Sequence, residues 1–529
     1  FMKRIESFLK EDTMRDIAEP AYTTEIKVQK TVVLTEEQQT CISALTPYLI
    51  TPSYHATVLH GVTGSGKTEI YKALLTTAYK EGKTTLLLLP EVSLAVQFER
   101  ILKEQLCSTI PIFSFHSATT PKQKQLLWNH LVEQKAALII GVHVPILLPI
   151  PKLGLILVDE EHEAGFQEKK HPKINTKQAA ILRAHQAGIP IVLGSATPSI
   201  ASLYNVQKRG WHLLQLKTRF AGTFPAIKTV SLTDKKERKN FWISTELYDA
   251  LKQRLLVKEQ SIIFLNRRGV CFFIQCKTCS FIFSCNSCSV SLTLHADNSL
   301  RCHYCDYSGR YPAACTNCKG TEFLKKGIGT EQIVTILQKL FPTARIGRAD
   351  LDATSNKKAW KQTITAFEKR ELDILVGTQT ITKGYHFPHV TLVGVIWADI
   401  NLNFPFYNAQ ETTLQQLIQV AGRAGRQSDH SLVIMQTMTD HPIFKHISEI
   451  NYLTFYDQEL ARREQLGYPP LIRFAEIEIK HTKEDVVDHE AHLVAALLMQ
   501  QPTIRVLGPA KPPVARIKKV CSRKIYLKA

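Results

Sequence analysis

The sequence predicts an α/β protein built on two parallel sheets, with a cysteine-rich module set into the second and a mixed α/β domain at the C-terminal end. Three observations carry this. Short apolar runs at residues 56–59, 84–89, 137–140, 153–158 and 190–193 alternate with helical stretches such as 69–79 and 96–104. A second series of runs follows at 260–265, 373–376, 390–395 and 431–435. Strands buried on both faces read as continuous apolar runs, and helices between them supply the crossovers of a parallel sheet. The second series is split after its first strand by a segment dense in cysteine. Beyond about His441 the pattern becomes mixed, with breaks at Tyr468-Pro469-Pro470 and Gly508-Pro509. The expected division is a linker or remnant of a preceding domain over 1–30, a first lobe over 31–218, and a second lobe over 219–269 and 326–440. The inserted module covers 270–325 and the C-terminal α/β domain 441–529.

A chain of 529 residues has room for roughly three to five domains, each with its own core. Its 66 Lys and Arg against 47 Asp and Glu leave a formal net charge of +19. Such an excess suits a polyanionic partner such as nucleic acid, although a charge kept for solubility has the same sign. The longest apolar stretch, residues 136–151, contains His143 and three prolines, so no membrane partner is expected. Residues 1–16 carry acidic side chains and no cleavable apolar core, which reads against a signal peptide. The expected compartment is a reducing cytoplasm.

Gly61-Val62-Thr63-Gly64-Ser65-Gly66-Lys67-Thr68 fits GxxxxGK[ST] between an expected strand and an expected helix. In that context Gly61, Gly64, Ser65 and Gly66 let backbone N–H groups wrap the phosphates of ATP. Lys67 reaches the terminal phosphates, and Thr68 offers an oxygen to Mg²⁺. The run at 153–158 then delivers Asp159-Glu160-Glu161-His162 at a strand end. Asp159 is the candidate Mg²⁺ ligand and Glu160 the group that polarises the attacking water. Gly194-Ser195-Ala196-Thr197-Pro198 ends the next strand with small hydroxyl residues suited to coupling the site to its neighbours. Gln419-Val420-Ala421-Gly422-Arg423-Ala424-Gly425-Arg426 closes the second series. Its arginines, three apart, lie on one helix face and can neutralise charge developing on the γ-phosphate from across a lobe interface. Taken singly, these motifs are also readable as a glycine-rich turn, an acidic loop and a basic surface. Together and in order they place ATP between two lobes.

Eight of the chain's cysteines fall in four CxxC pairs: Cys276/Cys279, Cys285/Cys288, Cys302/Cys305 and Cys315/Cys318. A two-residue gap lets both sulfurs of a tight turn face one ion, so eight thiolates fit two structural Zn²⁺ ions. A disulfide cluster would need an oxidising compartment, and regular CxxC pairs favour zinc over an iron–sulfur cluster. The expected form is a compact knob projecting from the second lobe, with little hydrophobic core of its own.

Further motifs extend the set: Pro90-Glu91-Val92-Ser93-Leu94, Phe264-Leu265-Asn266-Arg267-Arg268-Gly269, Gly327-Ile328-Gly329-Thr330-Glu331-Gln332-Ile333 and the run 377–394, GTQTITKGYHFPHVTLVG. In order with those above, they resemble the primosomal replication-restart helicases, the PriA family (primosomal protein N′) of helicase superfamily two. The likeness covers about residues 30–529. It implies RecA-like lobes and a DNA-dependent ATPase that unwinds 3′→5′ at branched or stalled replication forks and helps reload the replicative helicase. Implied partners are branched and single-stranded DNA, primosome and helicase-loading proteins, and single-stranded-DNA-binding protein. It also implies that Gln38 faces adenine, that Gly377, Thr378 and Gln379 contact DNA phosphate, and that Lys383 and Gly384 lie on the nucleotide side of the same loop. Of the cysteines, it implies that Cys276, Cys279, Cys315 and Cys318 bind one zinc and Cys285, Cys288, Cys302 and Cys305 the other. An N-terminal 3′-end-binding domain and a winged helix are expected ahead of such lobes, and neither is recognisable in this sequence.

Three departures stand against this resemblance. Gly141-Val142-His143-Val144-Pro145 replaces a usual Gly-Thr-Arg-Ser-Ala, Phe166 is the one aromatic between Asp159 and His171, and Asn408 stands where an arginine is usual. They bear on coupling between DNA and ATP and leave the hydrolysis residues intact. Two alternatives remain: a non-enzymatic fork-binding scaffold that assembles the primosome, and an RNA-directed helicase of the same superfamily.

Overall fold

The computed structural model describes residues 33–106, 110–168, 173–220, 223–234, 238–265, 274–286, 291–294, 299–302, 307–324, 329–349, 357–378, 381, 387–404, 406–424, 430–449, 451–512, 515–517 and 519–529. The first lobe carries seven strands: β1 (His55–Gly61), β2 (Thr84–Leu88), β3 (Ile112–Phe115), β4 (Leu138–Gly141), β5 (Leu153–Asp159), β6 (Pro190–Ser195) and β7 (His212–Leu216). They form one sheet in the order β3-β4-β2-β5-β6-β1-β7, with every neighbouring pair parallel. Helices α1 (Glu36–Ile50), α2 (Lys67–Lys80), α3 (Val92–Leu106), α4 (Pro121–Val132), α5 (Thr176–Ala187) and α6 (Ile200–Arg209) surround it. Because side chains alternate along a strand, Leu87 and Leu157 pack on one face with Ile70 and Leu74 of α2. Leu86, Leu88, Ile156 and Val158 pack on the other with Ala180 and Ala184 of α5.

The second lobe follows the same plan. Its strands are β8 (Ala226–Ser231), a short hairpin β9 (Arg238–Asn240) and β10 (Ile243–Ser244), then β11 (Gln260–Leu265). Five short strands of the cysteine module come next: β12 (Gln275–Cys276), β13 (Thr293–Leu294), β14 (Ser299–Arg301), β15 (Ser308–Arg310) and β16 (Phe323–Leu324). The sheet resumes with β17 (Ile346–Ala349), β18 (Ile374–Gly377), β19 (Val390–Ile396) and β20 (Leu432–Thr437). Its order is β17-β18-β11-β19-β20-β8, again with all pairs parallel. Helices α7 (Thr245–Leu256), α8 (Thr330–Leu340), α9 (Lys357–Glu368) and α10 (Ala409–Ala421) belong to this lobe. All nine strands read from apolar runs are present. The four further strands, β3, β7, β8 and β17, are the edges of the two sheets.

α10 is buried on almost every side, yet it carries Glu411, Gln415 and Gln419 in its buried set. Spaced four apart, these three share one helix face, and that face meets the first lobe. Glu411 Oε1 accepts from the backbone N–H of Ile200 at 2.8 Å, at the start of α6. Gln415 Nε2 donates to the carbonyl of Thr197 at 3.2 Å. Gln419 Nε2 stands 2.9 Å from His162 Nε2. Around these polar contacts one apolar cluster spans both lobes, joining Ile200 and Leu203 of α6 to Leu414, Leu417 and Ile418 of α10.

Residues after 441 do not all leave the lobes. Helix α11 (Tyr452–Leu466) places Tyr452, Phe455 and Tyr456 in that same cluster, and Tyr456 Oη donates to Gln207 of α6 at 2.9 Å. Arg463 of α11 pairs with Glu411 at 2.7 Å and Glu459 at 2.9 Å, with all three side chains at most 10% exposed. The C-terminal domain proper is an antiparallel sheet of β21 (Phe474–His481), β22 (Arg505–Ala510), β23 (Arg516–Ile517) and β24 (Val520–Lys528), with α12 (Glu484–Met499) against it. The cysteine module is not the isolated knob that the sequence suggests. Tyr526, Phe474 and Leu507 of that sheet pack into its core beside Cys276, Cys302 and Phe323, so the two units share apolar contacts. Among the described residues no helix is long and apolar enough to cross a membrane.

Removing one partner from a buried ion network leaves the other charge uncompensated, at a cost of about 3–5 kcal/mol. Arg463→Met is therefore expected to lower stability by about 3 kcal/mol, read as an earlier urea transition. The double variant Arg463→Met/Glu411→Gln should recover part of that loss. An unchanged transition in the single variant would mean that the network contributes nothing.

Candidate active site and metal centre

β1 ends at Gly61 and α2 begins at Lys67, so the motif 61–68 is a loop feeding a helix start. Gly64 and Gly66 both hold φ of +80°, a region costly for residues with a Cβ. Gly66 faces the side chain of Gln38 so closely that a Cβ there would collide with its amide. Gln38 is the N3 residue of a capping box with Thr35 at the start of α1. Its Oε1 accepts from Thr35 N–H at 2.9 Å and its Nε2 donates to the Ser65 carbonyl at 2.8 Å. The residue expected to face adenine thus uses both ends of its amide to tie α1 to the phosphate loop. Lys67 Nζ donates to the Gly61 carbonyl at 2.6 Å, folded over the loop that it closes.

Asp159 is the last residue of β5 and is buried against Tyr71 of α2, whose hydroxyl donates to its Oδ1 at 2.8 Å. Burial and the neighbouring Glu160 charge push its carboxyl up to about 6, against the opposing pull of Lys67 and the Tyr71 hydrogen bond. Glu160 holds a left-handed φ of +51°, an uncommon conformation for a residue with a Cβ. Its buried Oε2 has no hydrogen-bond partner among the described residues. It lies 3.7 Å from His162 Nδ1. Glu161 points the other way: it accepts from Ser199 N–H at 2.6 Å, Ser202 Oγ at 2.8 Å and Lys177 Nζ at 2.8 Å. Burial works against its charge, but Lys177 and the Ser199 amide hold it below the usual carboxylate range.

His162 links the lobes. With the Gln419 amide donating to Nε2, the ring proton sits on Nδ1 and is donated to Ser195 Oγ at 2.7 Å. Ser195 Oγ also accepts from Thr197 N–H at 2.9 Å. The strand-end turn, the Ser-Ala-Thr segment and α10 are therefore one hydrogen-bonded unit. Helix α10 ends at Ala421, so Arg423 lies in the turn after it and not on a helix face as expected, because Gly422 caps the helix. Gly422 packs on the phosphate loop, where a Cβ would lie 3.0 Å from Thr63 Oγ1. The structure joins Gln38 to the loop, sets Asp159 on Tyr71 of the helix after the loop, ties Gln419 to His162 of the Glu160 turn, and lays Gly422, next to Arg423, on Thr63. Thr68 is the second residue of α2, whereas Arg426, Gln379, Lys383 and Gly384 lie outside the described residues.

Two of the three sequence departures have a physical outcome. His143 Nδ1 lies 2.7 Å from Thr176 Oγ1 and Nε2 3.8 Å from Glu168, so this side chain is turned onto its own lobe. Phe166 is a fully buried core residue. Sequence reading missed Tyr71, Lys177, Ser199, Glu411 and Arg463, because no motif spacing marks them. The fourfold spacing of Glu411, Gln415 and Gln419 beside Leu414, Leu417 and Ile418 was a signal available in the sequence.

In the cysteine module, the sulfurs of Cys276, Cys279, Cys315 and Cys318 all lie within 4.8 Å of one another. Cys276 and Cys318 are 3.6 Å apart, as are Cys279 and Cys315. A tetrahedral Zn²⁺ with bonds of about 2.3 Å has sulfur–sulfur edges near 3.8 Å, so this donor set fits zinc. Each turn is built alike: Cys276 N–H donates to Phe281 at 2.9 Å, and Cys315 N–H to Gly320 at 2.8 Å. Cys302 N–H donates to Tyr307 at 2.8 Å with the same spacing of five residues. Cys285 and Cys302 are buried, while Cys288 and Cys305 lie outside the described residues.

Two parallel-sheet lobes that meet at a phosphate-loop motif, a carboxylate turn and a helix followed directly by an arginine define the two-lobed helicase class. Residues 35–206 match the DEAD/DEAH box helicase family and residues 322–428 the helicase conserved C-terminal domain. Residues 285–310 match the PriA DNA helicase Cys-rich region (CRR) domain. The chain is 35% identical to the replication restart protein PriA of Bacillus subtilis over 97% of its own length and 64% of that protein. It is 34% identical to that of Treponema pallidum over 94% of its length and 75% of the relative, and 34% identical to that of Rickettsia felis over 98% and 80%. The chain therefore belongs to the PriA family of replication restart proteins. It spans less than two thirds of the Bacillus relative and 57% of the Synechocystis one. Among solved structures, RecG bound to a three-way DNA junction is similar at 16% identity and a TM-score of 0.49, over 87% of this chain and 48% of that one.

A structural metal supplies folding energy outright. Treating the protein with a strong chelator is expected to make the thiols of Cys276, Cys279, Cys315 and Cys318 reactive and to loosen the module, with the lobes keeping their secondary structure. Thiols that stay unreactive under full chelation would contradict a metal-held module.

Proposed function

We propose that the chain is the motor portion of an ATP-dependent 3′→5′ DNA helicase that acts at branched or stalled replication forks and helps reload the replicative helicase. The observation that carries this reading is the bridge Ser195–His162–Gln419, which ties the carboxylate turn of one lobe to the helix that leads into Arg423 in the other. A hydrolytic site whose parts lie on two lobes is completed by their closure. Hydrolysis and lobe movement are then one event.

In this reading Gly61, Gly64, Ser65, Gly66 and Lys67 hold the phosphates of ATP, with Gln38 bracing the loop. Asp159 and Thr68 hold Mg²⁺, whose charge when bound offsets that of the phosphates. The left-handed turn at Glu160 aims its unpartnered oxygen at the attacking water. Arg423 and Arg426 neutralise charge that grows on the γ-phosphate. The same five-residue hydrogen bond at Cys276, Cys302 and Cys315 supports two zinc ions per chain, with Cys285, Cys288, Cys302 and Cys305 forming the second site; chelation should release two. We further infer the division 1–30, 31–218, 219–269 with 326–440, 270–325 and 441–529. α11 within the last span works with the lobes. Single-stranded and branched DNA, primosome and loading proteins, single-stranded-DNA-binding protein and a cytoplasmic setting belong to this same reading.

A second reading, a fork-binding scaffold with little turnover, is favoured by the burial of Phe166 and the inward turn of His143, since both remove groups that would report DNA to the ATP site. Unwinding of DNA and RNA forks of defined strand polarity separates the two. Helicase action predicts ATP-dependent opening of DNA forks with a 3′ tail; fork binding without opening would favour the scaffold, and opening of RNA forks alone an RNA-directed enzyme.

Within the site, Lys67→Ala is expected to lose tight ATP binding, whereas Glu160→Gln keeps binding and loses turnover. Arg426→Ala should lower the catalytic rate by on the order of 10³-fold with nucleotide affinity retained. Steady-state ATPase with parallel nucleotide-binding titrations checks all three, and full turnover in Glu160→Gln would overturn the assignment of the water-orienting group.

A further inference from the structure

One carboxylate at the cleft has no place in the roles above. Glu449 lies in the segment joining the second lobe to α11, and it is 2% exposed. Its Oε1 accepts from the backbone N–H of Thr63, within the phosphate loop, at 2.8 Å. Its Oε2 accepts from Arg219 Nη2 at 3.1 Å. Arg219 is itself nearly buried and stacks over Phe224 at 5.0 Å. The neighbouring Phe220 N–H donates to the Gly64 carbonyl at 3.0 Å, so the segment bearing Arg219 clasps the loop directly.

The chemistry of this contact is specific. A phosphate loop works by aiming backbone N–H groups at an anion. Here one such group is given to a carboxylate, whose oxygen is the protein's closest equivalent of a phosphate oxygen. Thr63 also meets the second lobe, packed on Gly422 beside Arg423. An arginine that stabilises the transferring phosphoryl group reaches in from the second-lobe side, so the terminal phosphate of a bound nucleotide lies toward Thr63. A buried negative charge at that point repels a third phosphate and leaves a second one largely unaffected.

We propose that Glu449 is a nucleotide-site residue that sets the balance between triphosphate and diphosphate. Its carboxylate holds the Thr63 N–H and the Arg219 guanidinium, and the third phosphate of ATP must displace it from both. Displacement frees Arg219 to meet the incoming charge. The segment leading into α11 thereby feels which nucleotide is present. This rests on the reading of residues 61–68 as the ATP loop.

The test is a set of binding titrations with ADP and with a non-hydrolysable ATP analogue. Glu449→Gln keeps the shape and the acceptor and removes the charge. It is expected to bind the ATP analogue about tenfold more tightly, because a like charge beside the ligand is gone, with ADP affinity within about twofold of the parent. Arg219→Gln should act in the opposite sense on the ATP analogue, because it leaves the Glu449 charge uncompensated, again with ADP nearly unchanged. Lys67→Ala serves as the control for the loop itself. If Lys67→Ala abolishes binding while Glu449→Gln and Arg219→Gln shift ATP and ADP equally or not at all, Glu449 is only a structural cap and the proposal fails. If Lys67→Ala leaves binding intact, the loop assignment fails instead.

Discussion

Helix α10 lies between two lobes, and a polar group buried there must be paired across the cleft or cost about 1–3 kcal/mol. Its face of Glu411, Gln415 and Gln419 meets this demand three times, at Ile200, Thr197 and His162 of the first lobe. None of these partners is decorative. Ile200 N–H belongs to the start of α6, Thr197 to the segment after β6, and His162 to the turn after the candidate catalytic carboxylates. Any opening of the cleft breaks all three contacts together and exposes the apolar cluster of Leu414, Ile418, Ile200 and Leu203 around them. The position of the first-lobe motifs is thereby tied to α10, and Gly422 and Arg423 follow its last turn.

The same helix connects outward. Arg463 of α11 holds Glu411 from behind, and Tyr407, just before α10, stacks on Tyr468 at 5.1 Å between ring centres. Phe474 lies against Tyr407 at 5.6 Å and stacks on Tyr526 at 5.5 Å, and Tyr526 packs into the cysteine module. A continuous run of packed groups therefore leads from the cleft to the metal-binding unit. It is a physical connection between elements that the sequence presents as separate domains, and it explains why the module shares a core rather than standing alone.

How much of this was legible in the sequence follows from burial. The nine strands found as apolar runs are inner strands covered on both faces. The four missed strands lie at sheet edges, where β8 exposes most of its side chains and β3 alternates buried with half-buried ones. Their hydrophobic signal is diluted by polar residues suited to solvent. The motifs of the site were legible because phosphate binding needs glycine, lysine and hydroxyl groups at fixed spacing. The first and fourth CxxC pairs meet in space, and their union was reached by resemblance, since spacing alone permits other pairings. Gln38 shows the limit: its identity fits a motif, but its amide braces the loop, and only coordinates reveal that. Tyr71, Glu449 and Arg463 act through contacts far apart in sequence, which no local pattern encodes.

In the proposed mechanism the bridge from His162 to Gln419 makes the two lobes one catalytic unit. A double-mutant cycle on DNA-stimulated ATPase, using His162→Ala, Gln419→Ala and the double variant, measures it most directly. If the bridge couples the lobes, each single substitution should cost nearly as much as the pair, because either one breaks the same contact. Losses that add, with the double variant falling by the product of the two single effects, would show that the residues act independently and that this contact does not join the lobes in function.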